Sequence, residues 1–306
     1  MPQSTVQTLV LFFYTAAGFA AGKLRHLDEG VGRGLSKFLV NFILPALIIV
    51  SMQRPFSAQL RTEAFTVLAI SFGVYALSFP LAYLLVKLEG ARGGEAGAHA
   101  FAAVFSNVAF MGFPVMEALY GRDSLFAVSV YNIPFQLLAF SVGPYMLARS
   151  AGKQARLGVA SFITPAAAAA VLGMLLFMLG LSLPAPIFES LNTLGNCTTP
   201  LSMALIGSII SRIELRKIAG NWRLYVTTLY RLVLFPLLLF AILRALGVSG
   251  TLLSLPVVIG AMPVAVNSAI LAEAYGGDSE TASSLVAIST LVSLLTIPLF
   301  ASALPR

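Results

Sequence analysis

Apolar stretches of about 20 residues or more recur along the whole chain, and this pattern restricts the fold more than any other feature. A helix of about 20 residues is long enough to cross the ~30 Å hydrocarbon core of a bilayer. The 306 residues are 58% hydrophobic and 10% charged, with a mean hydropathy of +0.91, whereas soluble domains carry about 25% charged residues. We therefore predict an all-α integral membrane protein with no soluble domain of useful size between its spans.

The apolar runs predict ten transmembrane helices, and the charges between them predict an orientation. Thirteen Lys and Arg residues fall in the odd-numbered loops and five in the even-numbered loops and the termini. The positive-inside rule then places the odd-numbered loops in the cytoplasm and both termini on the opposite side of the membrane. The net charge of +7 is explained by these short loops, so no nucleic-acid partner is expected. The predicted spans are 5–23, 34–53, 62–87, 95–119, 124–149, 157–181, 186–211, 218–244, 251–275 and 279–304.

The two halves of the sequence repeat at a constant offset of 155 residues. We predict a first five-helix repeat over residues 1–150 and a second over 156–306. Because each half holds an odd number of spans, the second must lie upside down relative to the first. Inverted repeats are typical of secondary transporters, which bind substrate near the bilayer midplane. Matching positions include Gly18 and Gly173, Asn41 and Asn196, Pro45 and Pro200, Tyr75 and Tyr230, and "YGRDS" and "YGGDS".

Two helix-breaking motifs fall near the middle of symmetry-related spans. Span 4 contains "FSNVAFMGFPVMEALYG" with Asn107 and Pro114, and span 9 contains "GAMPVAVNS" with Pro263 and Asn267. Irregular backbone at membrane depth is tolerated where it lines a cavity. The half-helix N-termini at such breaks suit an anion, and the freed carbonyls suit a cation. These four residues are therefore candidates for substrate binding, although Asn107 and Asn267 could instead form hydrogen bonds between helices.

A second pair of motifs has the spacing Asn-x-x-x-Pro, in "NFILP" of span 2 and "NCTTP" of span 7. Asn41 and Asn196 each lie one turn before a proline, near the carbonyl that the ring leaves without a donor. They are candidates either for capping a kink or for lining the substrate cavity.

Charged residues inside or beside the spans give further candidates. Arg231 could extend to the cytoplasmic edge of the membrane or face the cavity and pair with an anionic substrate. Glu117 and Glu273 could bind protons or a coupling cation, or be solvated at the membrane edge. Asp123 and Asp278 each precede a Ser and an apolar run, which predicts N-caps of spans 5 and 10.

The residues that carry catalysis or hold metals in other proteins are nearly absent. The single cysteine, Cys197, lies within a span, and we interpret His26 and His99 as loop residues far apart in sequence. No metal, no cofactor and no enzymatic activity are expected, because no nucleophile–base pair can be assembled.

Four motifs in this order resemble the auxin efflux carrier family, which includes bacterial relatives of the plant PIN auxin transporters. They are "LSKFLVNFILPALII", "SNVAFMGFPVMEALYG", "AMPVAVNSAILAEAYG" and "STLVSLLTIPLF", and the resemblance covers nearly the whole chain. The long cytoplasmic loop of the plant exporters is reduced here to "ARSAGKQARL", so regulation through that loop is not expected.

The resemblance implies a homodimeric elevator-type secondary carrier. Helices 1, 2, 6 and 7 would form the scaffold, and helices 3–5 and 8–10 the transport domain. Asn107 would contact a substrate carboxylate beside the crossing of Pro114 and Pro263. The substrate would be a small organic anion, either an auxin-like acid or a dicarboxylate such as malate or malonate. A sodium-coupled symporter of the bile-acid type and a non-transporting membrane receptor are the alternatives.

Overall fold

The computed structural model describes residues 3–153, 164–213 and 220–304. These residues form helices joined by short turns, and within them the only β-type pairing is one isolated bridge. The predicted start of the second repeat at residue 156 and the first parts of spans 6 and 8 lie outside the described residues.

Among the helices before the first gap, three predicted spans are each divided into two helices. Span 2 is divided into α2 and α3, span 4 into α5 and α6, and span 5 into α7 and α8. The bounds are α1 Gln3–Lys23, α2 Glu29–Phe38, α3 Leu44–Ser51, α4 Ala58–Glu89, α5 Gly93–Val104, α6 Phe113–Tyr120, α7 Ser124–Ala139 and α8 Val142–Ser150.

The helices after that gap show the same type of interruption in spans 7, 8 and 9. The bounds are α9 Pro165–Met178, α10 Ala185–Asn196, α11 Thr198–Ser211, α12 Trp222–Leu229, α13 Phe235–Ala245, α14 Thr251–Gly260, α15 Asn267–Tyr275 and α16 Ser279–Ala303. Helical residues therefore occupy at least part of every span that the sequence predicts.

Five helical segments of the described residues are long and apolar enough to cross a membrane. They include the 32-residue Ala58–Glu89 and the 25-residue Ser279–Ala303. Large apolar side chains such as Phe13, Tyr83 and Leu295 point outward, each more than two thirds exposed at 72%, 73% and 72%. Apolar side chains on the outside fit a hydrocarbon environment, in agreement with a membrane protein.

Three wide turns of π-helix have a common cause in the sequence. The π-turns Leu39–Ile43, Val108–Gly112 and Tyr230–Leu234 each end two residues before a proline, namely Pro45, Pro114 and Pro236. A proline ring clashes with the carbonyl one turn earlier and donates no hydrogen bond to it. A widened turn moves that carbonyl away, which explains why these helices continue past their prolines.

The chain divides into two compact units. Unit 1 comprises Met1–Ala69, Ala109–Gln136 and Ile163–Arg212. Within it, α1 and α11 approach so closely that a Cβ atom at Gly18 would overlap the carbonyl oxygen of Ala204. A Cβ atom at Gly207 would in the same way overlap the carbonyl oxygen of Thr15. Glycines at such positions let membrane helices pack backbone against backbone.

Unit 2 comprises Ile70–Val108, Leu137–Phe162 and Ile213–Arg306. Its core is formed where α5 contacts α8 and α16, and where α12 and α15 also contact α16. The ring of Phe105 lies 4.7 Å from that of Phe101 and 6.0 Å from that of Tyr75, measured between ring centroids. Unit 2 contains the last residue of α5, the whole irregular segment after it, and the break between α14 and α15.

One interpretation of the sequence was wrong. His99, interpreted as a loop residue, lies inside α5 and is fully buried. The predicted span 95–119 already includes His99, and the helix Gly93–Val104 agrees with that span rather than with a loop.

Candidate functional site: two paired helix breaks

The two predicted breaks meet within unit 2 and pair like a short antiparallel β-ladder. The chain leaves α5 at Val104, and the backbone N–H of Asn107 donates to the carbonyl oxygen of Pro263 at 2.8 Å. The N–H of Ala265 donates to the carbonyl oxygen of Phe105 at 3.1 Å, and Ser106 and Val264 form the bridge between these bonds. The two extended segments therefore provide hydrogen-bond partners for backbone groups that have no helical partner, because the helices are interrupted there.

Residues 105–107 and 263–265 together form the crossing. A third backbone donor there is satisfied by a serine on α16. The backbone N–H of Val264 donates to Oγ of Ser289 at 3.0 Å, and both residues are buried. Sequence analysis did not single out Ser289, because serine in a membrane helix usually bonds to the carbonyl of its own preceding turn.

Arg231 supplies hydrogen bonds to carbonyls at both breaks. Its Nη1 donates to the carbonyl oxygen of Ala103 at 3.2 Å, and its Nε donates to that of Met262 at 3.3 Å. The guanidinium also lies 5.3 Å from the ring centroid of Phe235. The side chain is buried within the protein, at only 2% exposed.

The position of Arg231 is favourable electrostatically. Ala103 lies in the last turn of α5, and Met262 lies two residues beyond the end of α14. The C-terminal end of a helix carries a partial negative charge, and a cation there is stabilising. A buried guanidinium with few partners is costly, and the carbonyls at the ends of these two half-helices reduce that cost.

Polar groups also lie at the start of α15, the second half of broken span 9. Asn267 is its first residue and is half-buried. The hydroxyl of Ser268 is buried and has no hydrogen-bond partner among the described residues. Asn107 is 1% exposed. A helix N-terminus with adjacent amide and hydroxyl groups has the chemistry that binds a carboxylate.

Three of the predicted site residues, Pro114, Asn41 and Asn196, are assigned to unit 1. Pro114, in the first turn of α6, is buried there, whereas Pro263 belongs to unit 2. Asn41 lies in the π-turn before Pro45 and is exposed.

Asn196 lies at the last position of α10, immediately before the interruption of span 7. Its Oδ1 accepts a hydrogen bond from Nη2 of Arg122 at 2.7 Å, and Arg122 also donates to Asn192. Asn196 therefore binds an arginine of unit 1, a partner that the sequence pattern did not predict.

The four acidic candidates lie in different surroundings. Asp278 caps α16 by accepting from the N–H of Thr281 at 2.9 Å, which confirms the predicted N-cap. Asp123 forms an ion pair with Arg54 just before α7. Glu117 accepts from the hydroxyl of Thr199 at 2.9 Å, and Glu273 is exposed.

Proteins that are named as transporters are similar to this chain along nearly its whole length. An uncharacterized transporter of Methanothermobacter thermautotrophicus is 27% identical over 97% of this chain and 97% of its own. The uncharacterized transporter YfdV of Escherichia coli is 24% identical over 92% of each chain. A protein of Rhizobium meliloti named "Putative malonate transporter" is 25% identical over 97% of this chain and 94% of its own.

The family model described as "Membrane transport protein" matches residues 4–301. This match confirms the resemblance that the four motifs indicated. The chain is therefore a multi-pass membrane protein of the membrane transport protein family, the auxin efflux carrier family.

Proposed function

We propose that this protein is a secondary active carrier of small carboxylates, with its substrate site at the paired helix breaks of unit 2. The observation that carries the proposal is the hydrogen bonding of Arg231 to the carbonyls of Ala103 and Met262. These bonds use carbonyl oxygens of the crossing and leave a helix N-terminus there for an anion.

The same geometry favours an anion over a sodium ion at the crossing. Sodium binding at broken helices relies on unwound carbonyls and on half-helix C-terminal ends. Here the ends of α5 and α14 receive a guanidinium, and a positive charge at that position repels a second cation. The substrate carboxylate would be held by Asn107, Asn267 and the first N–H groups of α15, with the positive charge of Arg231 adding to the attraction.

Malonate is the first substrate to test. The relative from Rhizobium meliloti is named for it and aligns over 97% of this chain. Other dicarboxylates and auxin-like acids share the carboxylate that the site would recognise. The identity of the substrate within this class is therefore part of the experiment.

The mechanism that we propose is alternating access by an elevator movement. The scaffold would consist of predicted helices 1, 2, 6 and 7 and would form a homodimer in the bacterial inner membrane. The transport domain would consist of helices 3–5 and 8–10, which include spans 4 and 9 with their paired breaks. Both termini would be extracytoplasmic, as the distribution of Lys and Arg predicts.

The test is the thermal stability of the purified protein in the presence of malonate, malate, succinate and indole-3-acetate. A ligand that binds only the folded state raises the unfolding midpoint by mass action. We expect at least one carboxylate to raise the midpoint without sodium. The Asn107→Ala variant should lose this shift and keep the helical circular dichroism of the wild type.

The alternatives predict different results. A shift that requires Na⁺ would indicate a sodium-coupled symporter. Binding without uptake into proteoliposomes would indicate a receptor. The absence of a shift with every carboxylate would contradict the proposed substrate class.

A further inference from the structure

A buried cluster of ionisable side chains lies in unit 2 outside the crossing. Glu89, at the end of α4, is 3% exposed, and His99 of α5 and Thr227 of α12 are both 0% exposed. Acidic side chains are almost never fully buried without a partner, and here the carboxylate adjoins a histidine. The substrate site proposed above does not use any of these three groups.

The three side chains form one continuous chain of hydrogen bonds. The Thr227 hydroxyl donates to Oε1 of Glu89 at 2.7 Å, and Nδ1 of His99 lies 2.6 Å from the same hydroxyl oxygen. A threonine hydroxyl has a single hydrogen. Because that hydrogen is donated to Glu89, Nδ1 of His99 is the donor in the second bond.

Both ends of this chain can accept a proton. Oε2 of Glu89 lies 3.3 Å from Nδ1 of His99, and Nε2 of His99 lies 3.8 Å from Oε1 of Glu95. Within the part of the chain that the structure describes, neither Oε2 nor Nε2 makes a hydrogen bond. A buried acceptor without a donor is costly, and a bound proton removes that cost.

A proton can pass along the chain without any other group. When a proton binds Nε2 of His99, the proton on Nδ1 can move to the Thr227 oxygen. The hydroxyl proton of Thr227 then moves to Oε1 of Glu89. The histidine ends neutral with its proton on Nε2, Glu89 ends neutral, and one proton has been taken up.

The surrounding charges favour this uptake. Glu95 faces His99 from the same helix, and Arg223 of α12 binds Glu95 at 3.2 Å and the backbone carbonyl of Glu89 at 2.9 Å. Asp278, at the start of α16, is the further charged group that acts on His99. Three carboxyl groups thus face one guanidinium, and a proton on the cluster reduces the excess of negative charge.

The cluster is one helical turn from the substrate site. His99 contacts Thr227, and four residues later on both helices the carbonyl of Ala103 accepts from Arg231. One turn is about 5.4 Å along a helix. The movement of protons through His99 and Thr227 therefore takes place one turn before the residues that hold Arg231 at the breaks.

We propose that Glu89, Thr227 and His99 form a proton-binding site, and that the proton bound there is the coupling ion for carboxylate transport. The coupling part rests on the proposed function, whereas proton binding does not. Glu95, whose side chain is 25% exposed and lies 3.8 Å from Nε2 of His99, is the group through which the proton reaches the histidine, and Arg223 holds Glu95 in place.

Proton binding is tested on the ligand-free protein by infrared spectroscopy during a pH titration. The C=O stretch of protonated Glu89 is identified by its absence in Glu89→Gln. We expect the pH at which this band appears to move in His99→Gln and in Thr227→Val, since the three groups share the proton. It should stay in place in the control Glu280→Gln, which alters an exposed carboxylate of unit 2. An unchanged titration in both His99→Gln and Thr227→Val would overturn the shared site.

Coupling is tested with radiolabelled malonate in proteoliposomes, with the membrane potential clamped. In the wild type, an imposed pH gradient should drive accumulation above the level of malonate exchange. The ratio of accumulation to exchange should fall to the value without a gradient in Glu89→Gln and keep its wild-type value in Glu280→Gln. If Glu89→Gln does not fold, Thr227→Val serves as the second variant, because it removes the relaying hydroxyl and keeps nearly the same shape.

The two proposals fail in different ways. Exchange in the wild type with an unchanged ratio in Glu89→Gln and Thr227→Val would overturn coupling at this site and leave the carrier function intact. A wild type that exchanges none of malonate, malate, succinate and indole-3-acetate would contradict the proposed function. The infrared titration would then decide the proton site by itself.

Discussion

The backbone N–H of Asn107 donates to the carbonyl oxygen of Pro263 at 2.8 Å, so two helix breaks more than 150 residues apart in sequence are joined by a main-chain bond. Because this bond uses backbone atoms, substitution of the Asn107 side chain leaves it in place. Side chains at the crossing can therefore be substituted one at a time without removing the main-chain bonds that join the two breaks.

Arg231 is expected to stabilise the crossing. Arg231→Met keeps a long apolar side chain and removes the donors to Ala103 and Met262. Each buried acceptor that loses its donor costs about 1–3 kcal/mol. We therefore expect the free energy of unfolding to fall by roughly 2–6 kcal/mol, measured as a lower midpoint of thermal unfolding without ligand.

Arg244→Met is the matched control, because Arg244 is exposed at the end of α13. It should leave the midpoint nearly unchanged. A wild-type midpoint in Arg231→Met would contradict the structural role of Arg231.

Ser289 is expected to hold the second break through one hydrogen bond. Ser289→Ala leaves the buried N–H of Val264 without its acceptor, at a cost of about 1–3 kcal/mol. The midpoint of thermal unfolding should fall accordingly. Ser283→Ala, an exposed serine on the same helix, should change it little. Equal midpoints in the two variants would show that Val264 has another acceptor.

Gly207 is expected to set the distance between α1 and α11 in unit 1. Gly207→Ala adds a Cβ atom where the carbonyl oxygen of Thr15 lies, so the two helices must move apart. Overpacking typically costs about 1–3 kcal/mol, and backbone adapts less easily than a side chain. The variant should therefore unfold at a lower temperature.

Gly34→Ala provides the comparison, because a Cβ atom at Gly34 meets no atom within 4 Å. It should be neutral or slightly stabilising, since alanine favours helix more than glycine does. If Gly207→Ala were as stable as Gly34→Ala, the close approach of α1 and α11 would be contradicted.

Hydropathy and proline chemistry predicted much of the secondary structure. Spans 3 and 10 match single helices, Ala58–Glu89 and Ser279–Ala303, within a few residues at each end. The interruptions at Asn107 and Pro263 were also predicted, because a proline or asparagine in the middle of a bilayer leaves backbone groups that a helix cannot satisfy. The division into scaffold and transport helices stays a prediction.

Hydrogen bonds between residues that are distant in sequence could not be predicted in the same way. The bonds of Arg231 to Ala103 and Met262 join residues more than 120 and more than 30 positions apart, respectively, and no local pattern specifies them. No local pattern pairs His99 with Thr227, although His99 falls within the predicted span 95–119. Thr227 carries no signal at all, since a single threonine in an apolar run usually bonds within its own helix.

The measurement that tests the central claim most directly is the equilibrium binding of radiolabelled malonate to the purified wild type, Asn107→Ala and Asn41→Ala. The proposed site at the crossing predicts that Asn107→Ala loses affinity by about tenfold or more, which is about 1.4 kcal/mol. Asn41 is exposed in the π-turn of unit 1, so Asn41→Ala should bind malonate as the wild type does. Wild-type affinity in Asn107→Ala, or loss of binding in Asn41→Ala alone, would contradict the substrate site proposed here.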